Sequence, residues 1–387
     1  MSATGRGRGT SGPRVALVRS RFDAYGGAEH FVQSAIAALS AQGATLTLVT
    51  RRWPDGDGRA IVLDPFFVGS LWRDRGFARA VCAELPKHHF DLVQSHERIP
   101  CCDVYRAGDG VHAAWLAERS RIQSPLARAI TALSPHHRHL LAAERDLFTS
   151  ARLKAVICNS EMVRGEIAQR FSTPAGNLVL IRNAVDGARF HPGLREELGA
   201  AVRQQVSIPR DATVFAFVGS GFERKGARAF LRALARRRES AWAIVVGRDK
   251  HAARYQRLCA RLGIAERVRF VGGVSDVRPY LAAADAFVLP TLYDPLPNAA
   301  LEAMAAGLPV VTSTKCGAAE ILVESESGFV RDALDVAGLA QCLDGLDPAT
   351  ARRMGAAARD AVAPLTPEAM GREYLALYER LLAGKRG

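Results

Sequence analysis

The same local order opens each half of this chain: an apolar strand, a glycine-bearing loop, a helix, then a second strand. Arg14-Val15-Ala16-Leu17-Val18 is an apolar run, Gly26-Gly27 follow it, and Phe31, Ile36 and Leu39 recur at helical spacing between about Ala28 and Gln42. Gly43 ends that helix, and Leu46 to Thr50 reads as the next strand. The second half restarts at Val214-Phe215-Ala216-Phe217-Val218, with Gly219 and Gly221 in the loop and a helix from Gly226 to about Arg237. Short apolar runs between helical segments predict buried parallel strands with right-handed crossovers. More such runs lie at Asp91–Ser95, Ala155–Asn159, Leu178–Ile181, Ala243–Val246, Val268–Val271, Ala286–Pro290 and Pro309–Ser313, with a short helix at Tyr280–Asp285. The fold expected is α/β: two Rossmann-like, doubly wound domains facing a cleft, with ligand at the carboxyl ends of the strands.

At 387 residues the chain has room for two such domains. The expected boundaries are 14–188 for the first domain and 189–365 for the second, with the linker near Asn183–Pro209. Residues 1–13, rich in Gly, Arg and Ser, read as a disordered tail and lack the apolar stretch of a secretory signal. The last segment, 366–387, carries a helix from about Pro367 to Leu382. Met370, Tyr374, Leu377 and Leu381 share one face of it, which is expected to pack back on the first domain.

No window approaches the roughly 18 uninterrupted apolar residues of a membrane helix. The seven cysteines are an odd number without a C-x-x-C pair, and neighbours such as Cys101-Cys102 bridge poorly. They read as buried thiols in a reducing, cytoplasmic compartment. The excess of 52 basic over 39 acidic residues gives +13, which favours anionic partners. Arg clusters at Arg51-Arg52, Arg119–Arg121 and Arg236–Arg238 read equally as anion sites or solvated faces. Aromatic residues are not interleaved with them, so no nucleic acid is expected. The stretch Arg119–Phe148 is basic, with Leu126, Ile130, Leu133, Leu140 and Leu141 interspersed. It reads either as a surface lying on an anionic membrane or lipid-linked acceptor, or as ordinary domain helices. His136-His137-x-His139 lacks a complementary Cys or acid at ligand spacing, so no metal is expected.

The densest chemistry lies at Tyr293-Asp294-Pro295-Leu296-Pro297-Asn298-Ala299-Ala300-Leu301-Glu302, followed by an Ala-rich helix that stops at Gly307. A turn whose N–H groups open a helix is an anion site, and Asn298 and Ala299 would offer those groups to phosphates. Glu302 lies two turns in, placed to accept from a sugar hydroxyl. Arg224-Lys225 sits before a helix, behind the Gly219–Gly221 loop, and two cations there can neutralise a diphosphate. Gly26-Gly27 would let backbone approach the same ligand.

These motifs, in this order, resemble the retaining GT-B glycosyltransferases of family 4, and within them the lipopolysaccharide core glucosyltransferases. The matching segments are Gly26-Gly27, Cys158-Asn159-Ser160-Glu161, Arg182-Asn183-Ala184-Val185-Asp186, Val218 to Gly226, Val246-Gly247 and the Asp294–Glu302 block. The resemblance implies a nucleotide-sugar donor on the second domain, with UDP and glucose favoured, and transfer with retention of configuration. Arg224 and Lys225 would take the place of a metal, and no cofactor would be required. Glu302 would hold the donor ribose. Asp294 aligns with the first acid of the family's pair but is one methylene shorter than the usual Glu, which bears on sugar identity; it reads alternatively as a turn-capping Asp before Pro295. In the first domain Asp109, or else His112, would face the donor sugar. Arg182 is a further candidate near the domain junction. The acceptor implied is a glycan or lipid-linked sugar, foremost a heptose of the lipopolysaccharide core, at the inner face of the cytoplasmic membrane. Exopolysaccharide or other glycolipid acceptors, a sugar-nucleotide epimerase and a basic binding protein remain open. A NAD-dependent oxidoreductase would want a third glycine where Arg224-Lys225 stands.

Overall fold

The computed structural model describes residues 12–20, 45–52 and 60–384. Residues 1–11 of the expected tail, Gly26-Gly27 and the helix expected after them lie outside the described residues.

The described strands form two sheets. The first orders β3 (Ala60–Val62), β2 (Thr45–Thr50), β1 (Arg14–Val18), β4 (Leu92–Ser95), β5 (Val104–Arg106), β6 (Ala155–Cys158) and β7 (Leu178–Leu180), every pair parallel. The second orders β10 (Val268–Gly272), β9 (Trp242–Val246), β8 (Val214–Val218), β11 (Ala286–Leu289), β12 (Val310–Ser313) and β13 (Gly328–Arg331), also parallel throughout. In both sheets the first strand of the half sits centrally and the order reverses beside it, between β1 and β4 and between β8 and β11. Such a reversal leaves a crevice at the strands' carboxyl ends, because the flanking crossovers run to opposite faces. β8 and β11 are apolar on both faces and wholly buried, from Val214 to Val218 and from Ala286 to Leu289.

Three strands were not expected. β5 falls between the strands expected at Asp91–Ser95 and Ala155–Asn159, and its Arg106 is buried. That arginine is affordable because its Nε donates to the Tyr374 hydroxyl at 2.9 Å and its Nη2 to Asn183 Oδ1 at 2.6 Å. The short helix expected at Tyr280–Asp285 lies earlier, at Arg278–Ala282, because Pro279 presets the first turn. The C-terminal helix, Pro367–Ala383, packs where its apolar face requires. Met370, Tyr374, Leu377 and Tyr378 close the outer core of the first sheet against Val15, Leu17, Leu48 and Leu92.

One expectation is corrected. Cys82 and Cys101 are joined by a disulfide, so only Cys102, Cys158, Cys259, Cys316 and Cys342 are buried thiols. Nothing local signals the bond: 19 positions separate the two cysteines, and the helix Gly69–Glu84 brings Cys82 to the turn after β4. The arginine clusters also divide. Arg51 pairs with Asp64, and buried Arg237 donates to the Leu343 carbonyl at 3.1 Å, so both serve the fold.

Candidate functional site

The crevice beside β8 and β11 gathers most of the sequence candidates of the second domain. After β8 the chain turns through Gly219, Ser220 and Gly221, and Gly221 has φ +76°. The stem of Lys225 folds back over Gly219, where a Cβ would lie 3.1 Å from Lys225 Cγ. Gly226 then starts the helix Ala227–Arg236 at φ +79°. A Cβ at Gly226 would collide with the Pro290 carbonyl of the neighbouring loop, so glycine is required there on two counts. The Arg224 carbonyl accepts from Leu292 N–H and the Thr291 hydroxyl, each at 2.8 Å, which ties this turn to the loop after β11.

That loop supplies Asp294, which is buried and ion-paired with the ammonium of Lys225. Its own backbone is clamped on both sides: Asp294 N–H donates to the Lys315 carbonyl and Gly317 N–H to the Asp294 carbonyl, both at 2.9 Å. The Arg224 guanidinium has no ion-pair partner among the described residues. It lines an open cavity of about 570 Å³ with Gly221, Arg248, Lys250, Arg254 and Trp115. Arg248 and Lys250 follow the Val246-Gly247 motif; their charge was the available signal, but sequence reasoning passed over them.

The helix Asn298–Ala305 begins at Pro297, which offers no side-chain cap to its first N–H groups. Asn298 Oδ1 accepts from Asn183 Nδ2 at 2.6 Å, and the same amide donates to the Leu296 carbonyl at 2.9 Å. Ala299 is half-buried beside it. Glu302 sits on the same helix in a poorly solvated place. Desolvation pushes its carboxyl up to about 7, against a smaller pull downward from Arg189.

The two domains meet at Tyr293. This side chain leaves the second domain and joins the buried core of the first. Its hydroxyl accepts from Val111 N–H at 2.8 Å and donates to Glu166 Oε2 at 2.7 Å, and Lys315 closes on Glu166 at 3.2 Å. Sequence reasoning missed Tyr293 because nothing local marks a residue that is buried in the other half of the chain. Gly110, at φ +70°, lies so close to Tyr293 and Pro295 that a Cβ would strike both. Asp109, which precedes it, is exposed on the loop that abuts the Asp294 turn.

Two other candidates lie elsewhere. His112 is buried, donates its N–H to Glu144 Oε1 at 2.6 Å and places Nε2 3.1 Å from His137 Nδ1. Burial, reinforced by Arg98, drives it down to about 3, so it is neutral at ordinary pH and its ring is engaged by His137. Arg182 reaches Glu320 Oε2 at 3.3 Å. That Glu320 carboxylate accepts from the Glu161 and Met162 N–H groups at 2.8 and 2.7 Å, capping a first-domain helix from the second domain. His136 pairs with Asp74 at 3.2 Å, and no group of three or more potential metal ligands gathers among the described residues.

A family model for glycosyltransferase family 4 matches residues 25–189, and one for glycosyl transferases group 1 matches residues 212–346. The chain belongs to the GT-B glycosyltransferases of family 4 and group 1, and it is a glycosyltransferase. It is similar to the lipopolysaccharide glucosyltransferase WaaG of Escherichia coli K12, at 25% identity over 82% of this chain and 84% of that one. The crystal structure of WaaG superposes with a TM-score of 0.80 at 23% identity, covering 94% of this chain and 99% of the other. Anabaena Alr3699/HepE in complex with UDP-glucose matches with a TM-score of 0.70 at 19% identity, covering 96% and 100%.

Proposed function

We propose that this glycosyltransferase moves glucose from UDP-glucose to an anionic glycan, foremost a lipopolysaccharide core heptose, with retention of configuration. The observation that carries the reading is the Lys225–Asp294 pair beside Arg224, with Asp294 on the loop that leads directly into the uncapped helix at Asn298. The similarity to a lipopolysaccharide glucosyltransferase and to a UDP-glucose complex supports the choice of donor and acceptor.

In this reading the diphosphate lies against Arg224, Lys225 and the N–H groups of Asn298 and Ala299, with Gly219 and Gly221 allowing close approach. Glu302 accepts from the ribose hydroxyls. Asp294 orients Lys225 and lies beside the transferred sugar. Asp109 faces that sugar from the first domain. The acceptor oxygen bonds to the anomeric carbon as the carbon–phosphate oxygen bond breaks, and its hydroxyl proton passes to the leaving phosphate on the same face. Negative charge grows on that leaving oxygen, so fixed cations aimed at it lower the barrier without a metal or other cofactor. The enzyme would work in the cytoplasm at the inner membrane face. The helix Pro125–Leu133 supports membrane contact, since Leu126, Ile130 and Leu133 are 72, 63 and 71% exposed.

A thermal-shift panel of UDP, GDP, ADP and NAD tests the donor. A ligand at about 100 times its Kd adds about 2.7 kcal/mol, and UDP alone is expected to give that shift. A response to NAD alone would overturn the reading. Arg224→Ala is expected to lower turnover by about two to three orders of magnitude, the loss of about 2.7–4 kcal/mol of charge stabilisation. Near-normal turnover would remove Arg224 from the mechanism.

A further inference from the structure

We propose a second anion site, apart from the Arg224–Lys225 crevice, that takes a phosphate group on the acceptor glycan. It is a cavity of about 770 Å³ between the helices Ala227–Arg236 and Ala252–Arg261 and the first-domain segment 119–127. Arg228, Arg232 and Arg261 line it. Arg228, Arg232 and Arg236 fall at successive helical turns, so three like charges share one stripe, an arrangement that destabilises a helix unless an anion answers it. Partial burial, then the charges of Arg228, Arg236 and Arg261, lower the pKa of Arg232. None of these four arginines is in an ion pair among the described residues. Glu223 is the one carboxylate in the cavity's described wall, and Arg119 and Arg254 already hold it, at 3.1 and 3.3 Å.

The remaining wall includes Leu258, Leu292 and Leu334. Cations set against low-dielectric walls focus the potential, and guanidinium forks match phosphate oxygens. The cavity shares Arg119, Glu223, Arg254 and Tyr255 with the cavity beside Arg224, so one extended ligand can occupy both. The assignment to an acceptor phosphate rests on the glycosyltransferase reading above; the anion site itself rests on the arginines.

Calorimetric titration with inorganic tripolyphosphate, in the presence of saturating UDP, separates the two. Wild-type protein is expected to bind one tripolyphosphate with the donor site filled. The Arg232→Ala, Arg261→Ala double variant is expected to bind it at least about tenfold more weakly, as loss of charged hydrogen bonds implies, with UDP binding unchanged. Tripolyphosphate that UDP displaces, or that binds the double variant equally, overturns the site. Failure of UDP to bind would instead sink the donor reading and leave the tripolyphosphate result standing. The source of the phosphate is read from KM. The double variant is expected to raise KM for phosphorylated core oligosaccharide but not for its phosphatase-treated form. If KM is unmoved and only sedimentation with phosphatidic acid vesicles falls, the site serves a lipid headgroup and the acceptor assignment is overturned.

Discussion

Glu302 lies where its charge depends on its neighbour. Its carboxyl titrates near 7 instead of the ordinary 4.5, so between those values the folded protein holds a proton that the unfolded chain has released. The stability this gives is complete below pH 4.5 and is lost as pH rises towards 7. A ribose hydroxyl donating to the carboxylate favours the ionised form and pulls the value down. UDP affinity is therefore expected to climb as pH rises towards 7 and to level off above it, with proton release on binding below that point. Calorimetry in buffers of different ionisation enthalpy reads both, and Glu302→Gln is expected to weaken UDP and flatten its pH dependence. An unchanged profile in that variant would mean that another group titrates. Tyr293 makes a second residue-scale case. Tyr293→Phe leaves the buried Val111 N–H without its acceptor and Glu166 Oε2 without its donor. The expected cost is about 1–3 kcal/mol, read as a lower urea midpoint at constant m-value.

At the scale of elements, the loop before the helix Ala227–Arg236 is set by glycine. Gly226 and Gly221 both have positive φ, but only Gly226 faces an obstacle, the Pro290 carbonyl, whereas nothing stands within 4 Å of a Cβ at Gly221. Gly221→Ala is thus expected to cost only the left-handed penalty of about 1–2 kcal/mol. Gly226→Ala must cost more, because the Arg224–Lys225 turn has to move, and UDP binding should weaken with it; equal melting temperatures for the two variants would contradict this. The strands central to each sheet were legible because β8 and β11 are unbroken apolar runs, β1 is apolar from Val15 to Val18 and β4 opens on Leu92-Val93, all of them buried. Lys225 and Asp294 could be placed at one ligand for a related reason, since each follows a strand that ends at the crevice, but their ion pair was not foreseen. β5 was hidden by Arg106, whose partners Asn183 and Tyr374 come from the domain junction and the last helix. The Cys82–Cys101 bridge was hidden in the same way, by contacts that no local pattern encodes.

At the scale of the molecule, the last helix makes the two halves interdependent. The chain leaves the second sheet after β13, passes through the helices Val336–Asp344 and Pro348–Val362, and then crosses back. Val185 N–H donates to the Leu365 carbonyl at 2.8 Å, so the outgoing and returning strands of the junction are tied together. Beyond that tie, Tyr378 donates to Gln94 Oε1 at 2.8 Å, and Tyr374 accepts from Arg106, which in turn holds Asn183 and through it Asn298. The helix that would cradle the diphosphate is therefore linked, through two asparagines and a buried arginine, to the C-terminal helix on the other domain. Truncation after Leu365 would expose Val15, Leu17, Leu48 and Leu92 and leave Arg106 short of a buried partner. Each buried large apolar side chain is worth about 1.5–3 kcal/mol, so uncovering four of them costs as much as the margin of about 5–15 kcal/mol that holds an ordinary domain. The truncated chain is expected to keep a folded second domain and lose the first. Hydrogen exchange would then protect amides of β8 to β12 while those of β1 to β7 exchange freely; protection retained in β1 and β4 would mean that the helix only decorates a sheet stable without it.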